Sequence, residues 1–297
     1  MLYDVQLRGA TPAPPPYAEN PFRAIEVGRI PIEDAKPILA FDIDQEQQFL
    51  AACDGWQFPI FLTLLMTGLR PGELAHLLLR DALDLESRWL FVRNKPQLGW
   101  QVKTRTERAI PLSPVLTGVL SLVIRERKTG PVFLQRRCHR GFSPPLISFT
   151  RKRLETEMQR RTAGLESTAD IANGRVPHEA AAKTIWRDLG AIKADQIRKD
   201  FMRLTKRIGL EEVTAPKTLR HTFATCLQDA NVDPLIRNEL MGHSTGDNRK
   251  SGGLGMTATY THTRPETKRR QLESALAVRP SSSIASEWLR VRNDLEH

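Results

Sequence analysis

Several things are scarce in this chain, and each shortage narrows what it can be. Cysteine occurs three times in 297 residues, at Cys53, Cys138 and Cys226. The three are far apart, odd in number and never in a C-x-x-C pair. That argues against a disulfide framework or a zinc cluster and fits a reducing cytoplasm. No apolar run approaches the about 20 residues of a membrane-spanning helix. The N-terminus lacks the apolar core of a secretory signal, so no membrane partner is expected. No acidic triad or histidine cluster stands out, which disfavours a metallonuclease, and no Walker A string is present. Acidic residues are in deficit, 34 against 44 Lys plus Arg, for a net charge of +10. Such a balance favours a polyanionic partner, nucleic acid first. Tyrosine is also rare: Tyr3, Tyr17 and Tyr260 are the three.

Hydrophobic residues make up 40% of the chain, enough for a real core. Residues 1–40 hold Pro12, Pro14, Pro15, Pro16, Pro21, Pro31 and Pro37 without helical periodicity, and read as an extended arm or linker. Helical patterning then covers Glu46 to Ala52, Pro59 to Met66 and Pro71 to Leu79, with Gly68 ending the second and Pro71 opening the third. Four short runs, Ala82 to Leu85, Trp89 to Arg93, Gly99 to Lys103 and Arg108 to Leu112, fit a small antiparallel sheet. From Pro114 onward the pattern is almost wholly helical: Pro114 to Arg127, Ser148 to Ala163, His178 to Leu189, Ala194 to Ile208, Thr218 to Asp229, Pro234 to Met241 and Pro265 to Ala277. Gly164 to Pro177 reads as a surface loop. A short helical pattern around Ser286 to Val291 reads as a tail, and Leu295-Glu296-His297 as the stub of an expression tag.

Five strings carry chemistry: TGLRPGEL from Thr67, KTRTERAIPL from Lys103, APKTLRHTFAT from Ala215, LMGHS from Leu240 and TATYTHT from Thr257. They supply Arg70, Lys103, Lys217, Arg220 and His243, and then Tyr260. A phenol with a pKa near 10 is a poor nucleophile at neutral pH, and nearby cations favour its phenolate. Attack on a phosphodiester builds negative charge on the non-bridging oxygens. Two guanidinium forks, Arg70 and Arg220, can grip those oxygens. A lysine on a hairpin, Lys103, can protonate the departing 5′ oxygen; Lys95 and Arg105 lie nearby and compete for that role. His243 can hydrogen-bond the phosphate or move a proton. Tyr3 and Tyr17 sit in the arm, so Tyr260 has no rival as nucleophile. The ester it forms conserves the energy of the broken bond, so neither ATP, metal nor cofactor is implied. The basic residues Arg136, Arg137, Arg140, Arg151, Lys152 and Arg153 read as a DNA-backbone surface or a solvated face. His221 reads as packing or capping, and His262 as a phosphate contact or a structural residue.

Taken together and in this order, the strings resemble the catalytic domain of tyrosine recombinases, the phage-integrase family, over about residues 40–278. The resemblance implies a mixed α+β, mainly helical catalytic domain over residues 41–278 with a small three-stranded antiparallel sheet. It implies Arg70, Lys103, Lys217, Arg220, His243 and Tyr260 as catalytic residues, with Glu73 buttressing Arg70. Arg105, Arg136, Arg137, Arg151, Lys152 and His262 are candidate contacts to double-stranded DNA. The activity implied is site-specific recombination through a 3′-phosphotyrosine link, by four subunits on DNA that can be monomers without it. A type IB topoisomerase and an inactive DNA-binding regulator are the alternatives.

Three departures stand out. Lys217 occupies a position that is usually histidine in the family. The gap from His243 to Tyr260 is 17 residues, longer than usual, and its insert from Thr245 to Gly255 holds Gly246, Gly252, Gly253 and Gly255, which suggests a mobile loop. Only the proline-rich arm, with an NPFRAIEV string like the family's interdomain linker, stands where members carry a helical DNA-clamping domain. That suggests a truncated form of a longer protein or a naturally short one. Residues 279–297 are expected to be a C-terminal tail.

Overall fold

The computed structural model describes residues 39–166, 176–243 and 263–296. The arm, most of the 164–177 loop, the glycine-rich insert, Tyr260 and His262 lie outside the described residues. In the described part the order is α1 (Ile43–Ala51), α2 (Gln57–Thr67), α3 (Pro71–Ala75), α4 (Leu79–Ala82), β1 (Leu83–Asp84), β2 (Trp89–Val92) and β3 (Arg108–Pro111). There follow α5 (Pro114–Ile124), α6 (Arg151–Glu166), α7 (Pro177–Asp188), α8 (Ala194–Arg207), α9 (Lys217–Asp229), α10 (Pro234–Met241), α11 (Pro265–Ala277) and α12 (Pro280–Glu296). The class is the expected one: mainly helical with one small antiparallel sheet.

Helix α2 is the axis of the core. Every residue of QFPIFLTLLMT is buried, as expected of a helix that is apolar all round. Its two threonines satisfy their hydroxyls on the helix itself, Thr63 on Pro59 O at 2.7 Å and Thr67 on Thr63 O at 2.5 Å. Phe49, Phe61 and Phe201 bring α1, α2 and α8 together, with ring centroids 5.2 Å apart for Phe49–Phe61 and 5.4 Å for Phe49–Phe201. A second apolar cluster lies between α6 and α7, where Leu154 and Met158 meet Ala181, Ile185 and Leu189.

The sheet has the order β1-β2-β3, with Leu90 opposite Leu83 on one side and Ile110 on the other. The run Gly99 to Lys103 is not a strand. Pro96 opens a 3₁₀ turn (Pro96–Leu98) and Gly99 follows at φ +66°, leaving only a Lys95–Trp100 bridge. A proline without an N–H and a left-handed residue cannot carry a ladder. Nor is Pro71 to Leu79 one helix. The backbone of Leu77 to Leu79 pairs instead with Gly130 to Val132 (Leu79 N–H to Gly130 O, 3.0 Å; Val132 N–H to Leu77 O, 2.9 Å), which ends α3 at Ala75. Helix α6 continues through Gly164 to Glu166, past the expected boundary.

The tail pattern proves to be a 17-residue helix, α12, packed on the core. Trp288 stacks on Phe58 of α2 with centroids 5.1 Å apart. The turn before α12 is held by Glu46 of α1, only 1% exposed. Its carboxylate accepts from Nε of Arg279 at 3.1 Å, from the Arg279 Nη2 as well, and from the Ser281 N–H at 3.0 Å. Removing one partner of a buried charge pair leaves the other uncompensated. Glu46→Ala is therefore expected to lower unfolding stability by about 3 kcal/mol, read from chemical denaturation. A loss within experimental error would contradict this anchoring.

Candidate active site

The site forms where three helix ends meet. Helix α2 ends in the left-handed Gly68 (φ +62°), and Arg70 then caps α3 with Pro71 in its first turn. A Cβ on Gly68 would stand 2.3 Å from the Phe223 ring of α9. The glycine thus permits both the turn and the close approach of α9. Helix α10 ends in the left-handed Gly242, where a Cβ would lie 2.9 Å from an Arg108 nitrogen.

Glu73 is the hub. It is 3% exposed and accepts from the Arg70 backbone N–H (2.9 Å) and from Arg70 Nη1 (2.8 Å). On its other side Arg108 Nη1 and Nη2 donate to the two carboxylate oxygens at 3.1 and 2.7 Å, a bidentate pair. Arg108 also donates through Nε to Leu240 O at 2.9 Å, tying β3 to α10. Arg220, one turn into α9, donates to Gly68 O at 2.5 Å and to Met241 O. The carbonyls at the ends of α2 and α10 are thus bridged by one guanidinium, as the negative ends of helix dipoles favour.

Two guanidinium groups thus bind the Glu73 carboxylate, and a third, Arg220, lies close enough to feel its charge. Burial, and then the charges of Arg70 and Arg108, push Arg220 down to about 9, so it keeps its charge at neutral pH. His243, beside the left-handed Gly242, has its pKa lowered by burial and then by Arg220, Arg70 and Arg108. Its ring is neutral at pH 7 and can both donate and accept. For Glu73 burial alone would raise the pKa. The Arg108 hydrogen bonds and charge, and then Arg70, outweigh it, and the net shift is downward.

Of the residues singled out in the sequence, Arg70, Glu73, Arg220 and His243 converge here. Lys217 is exposed at the first position of α9, one turn before Arg220 and on the same face. Lys103 is exposed at the hairpin turn, and Arg105 follows it at φ +57°. Lys95, its competitor, is 1% exposed and bonded to Asp81 at 3.0 Å, a structural charge. Arg151 is committed to Asp81 (2.8 Å) and Glu155 (3.0 Å), whereas Lys152 is exposed. Arg136 pairs with Asp54 at 2.6 Å over the Trp56 ring, and Arg137 lies over Phe142. Asp54 and Trp56 precede the start of α2, roughly 16 Å of helix rise from Gly68. Arg108 is the member that sequence reasoning missed. The available signal was strand alternation, which puts it on the same face as the buried Ile110.

Residues 40–267 match the model of the phage integrase family. The chain belongs to that family. Among individual relatives, a 233-residue stretch is 24% identical to tyrosine recombinase XerA of Pyrococcus horikoshii, covering 78% of this chain and 59% of that one. A 71-residue stretch is 38% identical to tyrosine recombinase XerC of Pelotomaculum thermopropionicum, covering 24% of this chain and 21% of the relative. These curated relatives are thus matched over less than two thirds of their length. Among solved structures, a variant of the Tn1549 transposon integrase in complex with transposon right end DNA superposes with TM-score 0.50 at 20% identity, over 91% of this chain and 74% of that one. That likeness concerns the fold.

A carboxylate whose folded pKa lies below its unfolded value of 4.5 contributes stability that is fully present above pH 4.5 and is lost as pH falls through the folded value. The stability gap between wild type and Glu73→Gln in this integrase-family domain should accordingly be about 2–4 kcal/mol at pH 7 and shrink progressively below pH 4.5. Urea titrations across that range measure it. A gap independent of pH would mean that Glu73 does not hold the arginines as an ion.

Proposed function

We propose that this chain is a site-specific DNA recombinase of the integrase or transposase type, breaking and rejoining double-stranded DNA through a tyrosine ester. The observation that carries the reading is the surplus of positive charge at the helix ends: Arg70, Arg108 and Arg220 against the single carboxylate of Glu73. Such a cradle suits the charge that grows on the non-bridging oxygens of a phosphodiester under attack.

In the proposed step the Tyr260 oxygen forms a bond to phosphorus while the bond to the 5′ oxygen breaks. The phenol proton passes to solvent water on attack, and Lys103 delivers a proton to the departing 5′ oxygen. Arg70 and Arg220 stabilise the two non-bridging oxygens, and Lys217 and His243 donate to the same phosphate. Glu73 and Arg108 are positioning residues that hold the guanidinium groups in place. Rejoining reverses each transfer with a 5′ hydroxyl as attacking group, so no energy source is consumed. Thr263, the third residue after Tyr260 in the sequence, donates to Glu239 at 3.1 Å on the same α10 that carries Leu240 and Met241. Residues 41–278 form the catalytic unit in this reading. Lys152, Arg105, Arg137 and His262 are its candidate backbone contacts, with smaller contributions from the already paired Arg136 and Arg151, and four copies assemble on DNA.

The test is a nicked duplex carrying the recombination site, which traps the covalent intermediate because the short 5′ fragment diffuses away. Wild type should give a protein–DNA adduct resistant to detergent, and Tyr260→Phe should give none. Arg70→Ala and Arg220→Ala should form it about 10²–10³ times more slowly with DNA binding largely retained. An adduct in Tyr260→Phe, or normal rates in either arginine variant, would overturn the assignment. Relaxation of a supercoiled plasmid without the site would point instead to a topoisomerase. Affinity should also fall steeply with salt, since phosphate contacts release counterions, and a flat response would contradict backbone binding.

A further inference from the structure

A cavity of about 670 Å³ lies between the end of α3, the Pro96–Gly99 turn, α7 and the start of α8. The chemistry proposed above does not use it. One wall is His76, which caps α3. Its Nδ1 lies 2.6 Å from Gly72 O. A carbonyl only accepts, so Nδ1 carries the proton. Burial first, and the nearby Lys95 charge as well, push the ring down to about 4 against the Gly72 bond, so it is neutral at pH 7. Nε2 then offers a lone pair, and no described residue donates to it. The ring is clamped parallel to Trp100 (centroids 4.9 Å) and edge-on to Trp186 (4.5 Å), and Trp186 is itself fixed by its Nε1–H to Leu98 O at 2.9 Å. This is an acceptor held in place by packing.

The rim is basic. Lys183 and Arg187 are exposed one turn apart on α7, and Lys193 is exposed at the start of α8. Glu179 is the one carboxylate lining the cavity, while Arg187 pairs with Asp188 at 2.9 Å. Lys183 and Lys193 form no ion pair among the described residues, and the charge of Lys193 acts on Asp195, which pairs with Lys199 at 2.8 Å. Arg70 opens α3 and His76 closes it. Five helical residues rise roughly 8 Å, comparable to two or three base-pair steps of about 3.4 Å.

We infer that this cavity reads one base of the DNA, His76 Nε2 accepting a hydrogen bond from the exocyclic amino group of an adenine or cytosine while Lys183 and Lys193 contact the neighbouring phosphates. Those two bases are the ones that present an amino donor in the major groove. The inference rests on the reading that DNA lies across Arg70, and adds a specificity determinant to it.

The experiment is selection of bound duplexes from a randomised library by the full chain, by His76→Phe and by Lys193→Gln, followed by sequencing. Phenylalanine keeps a flat ring between the tryptophans and removes the acceptor. Wild type should enrich a defined sequence with adenine or cytosine at one position. His76→Phe should lose about threefold to tenfold of that preference at that position alone, with its melting temperature recorded alongside. Lys193→Gln, on the exposed rim, should keep every base preference and lower the slope of log affinity against log salt by about one. An unchanged preference in His76→Phe, or one weakened evenly at all positions, overturns the inference. So does Lys193→Gln with an unchanged salt slope. A wild-type pool with no enriched sequence overturns the recombinase reading and this inference with it.

Discussion

The carboxylate of Glu73 sits between two guanidinium groups that would otherwise repel each other. Like charges a few ångströms apart cost on the order of 4 kcal/mol at an effective dielectric of about 20. One buried anion converts that repulsion into a bidentate pair with Arg108 and a cap for Arg70. Arg220 has no carboxylate of its own and is held by the carbonyls of Gly68 and Met241. The cluster thus retains a net positive charge while every arginine is fixed. An anion entering it meets donors already in place, the condition under which electrostatic stabilisation is most effective.

The scaffold makes this possible through helix termini. Helices α2 and α10 both end in left-handed glycines, and α3 starts directly after the first of them with Pro71 at its opening turn. Strand β3 delivers Arg108 from the opposite side. The α2–α3 junction, β3, α9 and α10, which are far apart in sequence, therefore converge on one corner, and burial of α2 on all sides keeps that corner from shifting. Helix α12, anchored through Glu46 and Trp288, closes the same core on its far side.

Much of this was legible in the chain because it is local. Gly68, Pro71 and Glu73 lie within six residues, and a stop, a start and an i,i+3 ion pair follow from spacing alone. Gly242 beside His243 reads the same way. What was not legible depends on distance. Arg108 meets Glu73 across 35 residues and Leu240 across 132, and no local pattern fixes such partners. Lys95 was a rival to Lys103, and its pairing with Asp81 is a long-range contact that no local pattern fixes. Gly99 to Lys103 carried strand-like side chains, but Pro96 and the left-handed Gly99 decided the backbone. Leu77 to Leu79 kept helical periodicity and still left the helix, because pairing with Gly130 to Val132 satisfied their backbone groups. The α12 pattern is legible only around Ser286 to Val291 because its first turn is serine-rich, and packing against α1, α2 and α5 reveals its full length.

In the proposed function the corner around Glu73 binds an anion with the geometry of a phosphate under attack. Orthovanadate, which adopts five-coordinate geometry with a phenol or alcohol, tests it without DNA. Isothermal titration of the full chain should show one saturable site that is lost in Arg220→Ala while Lys152→Ala, on the surface of α6, keeps it. Equal binding by wild type and Arg220→Ala, or none by wild type, would contradict the account.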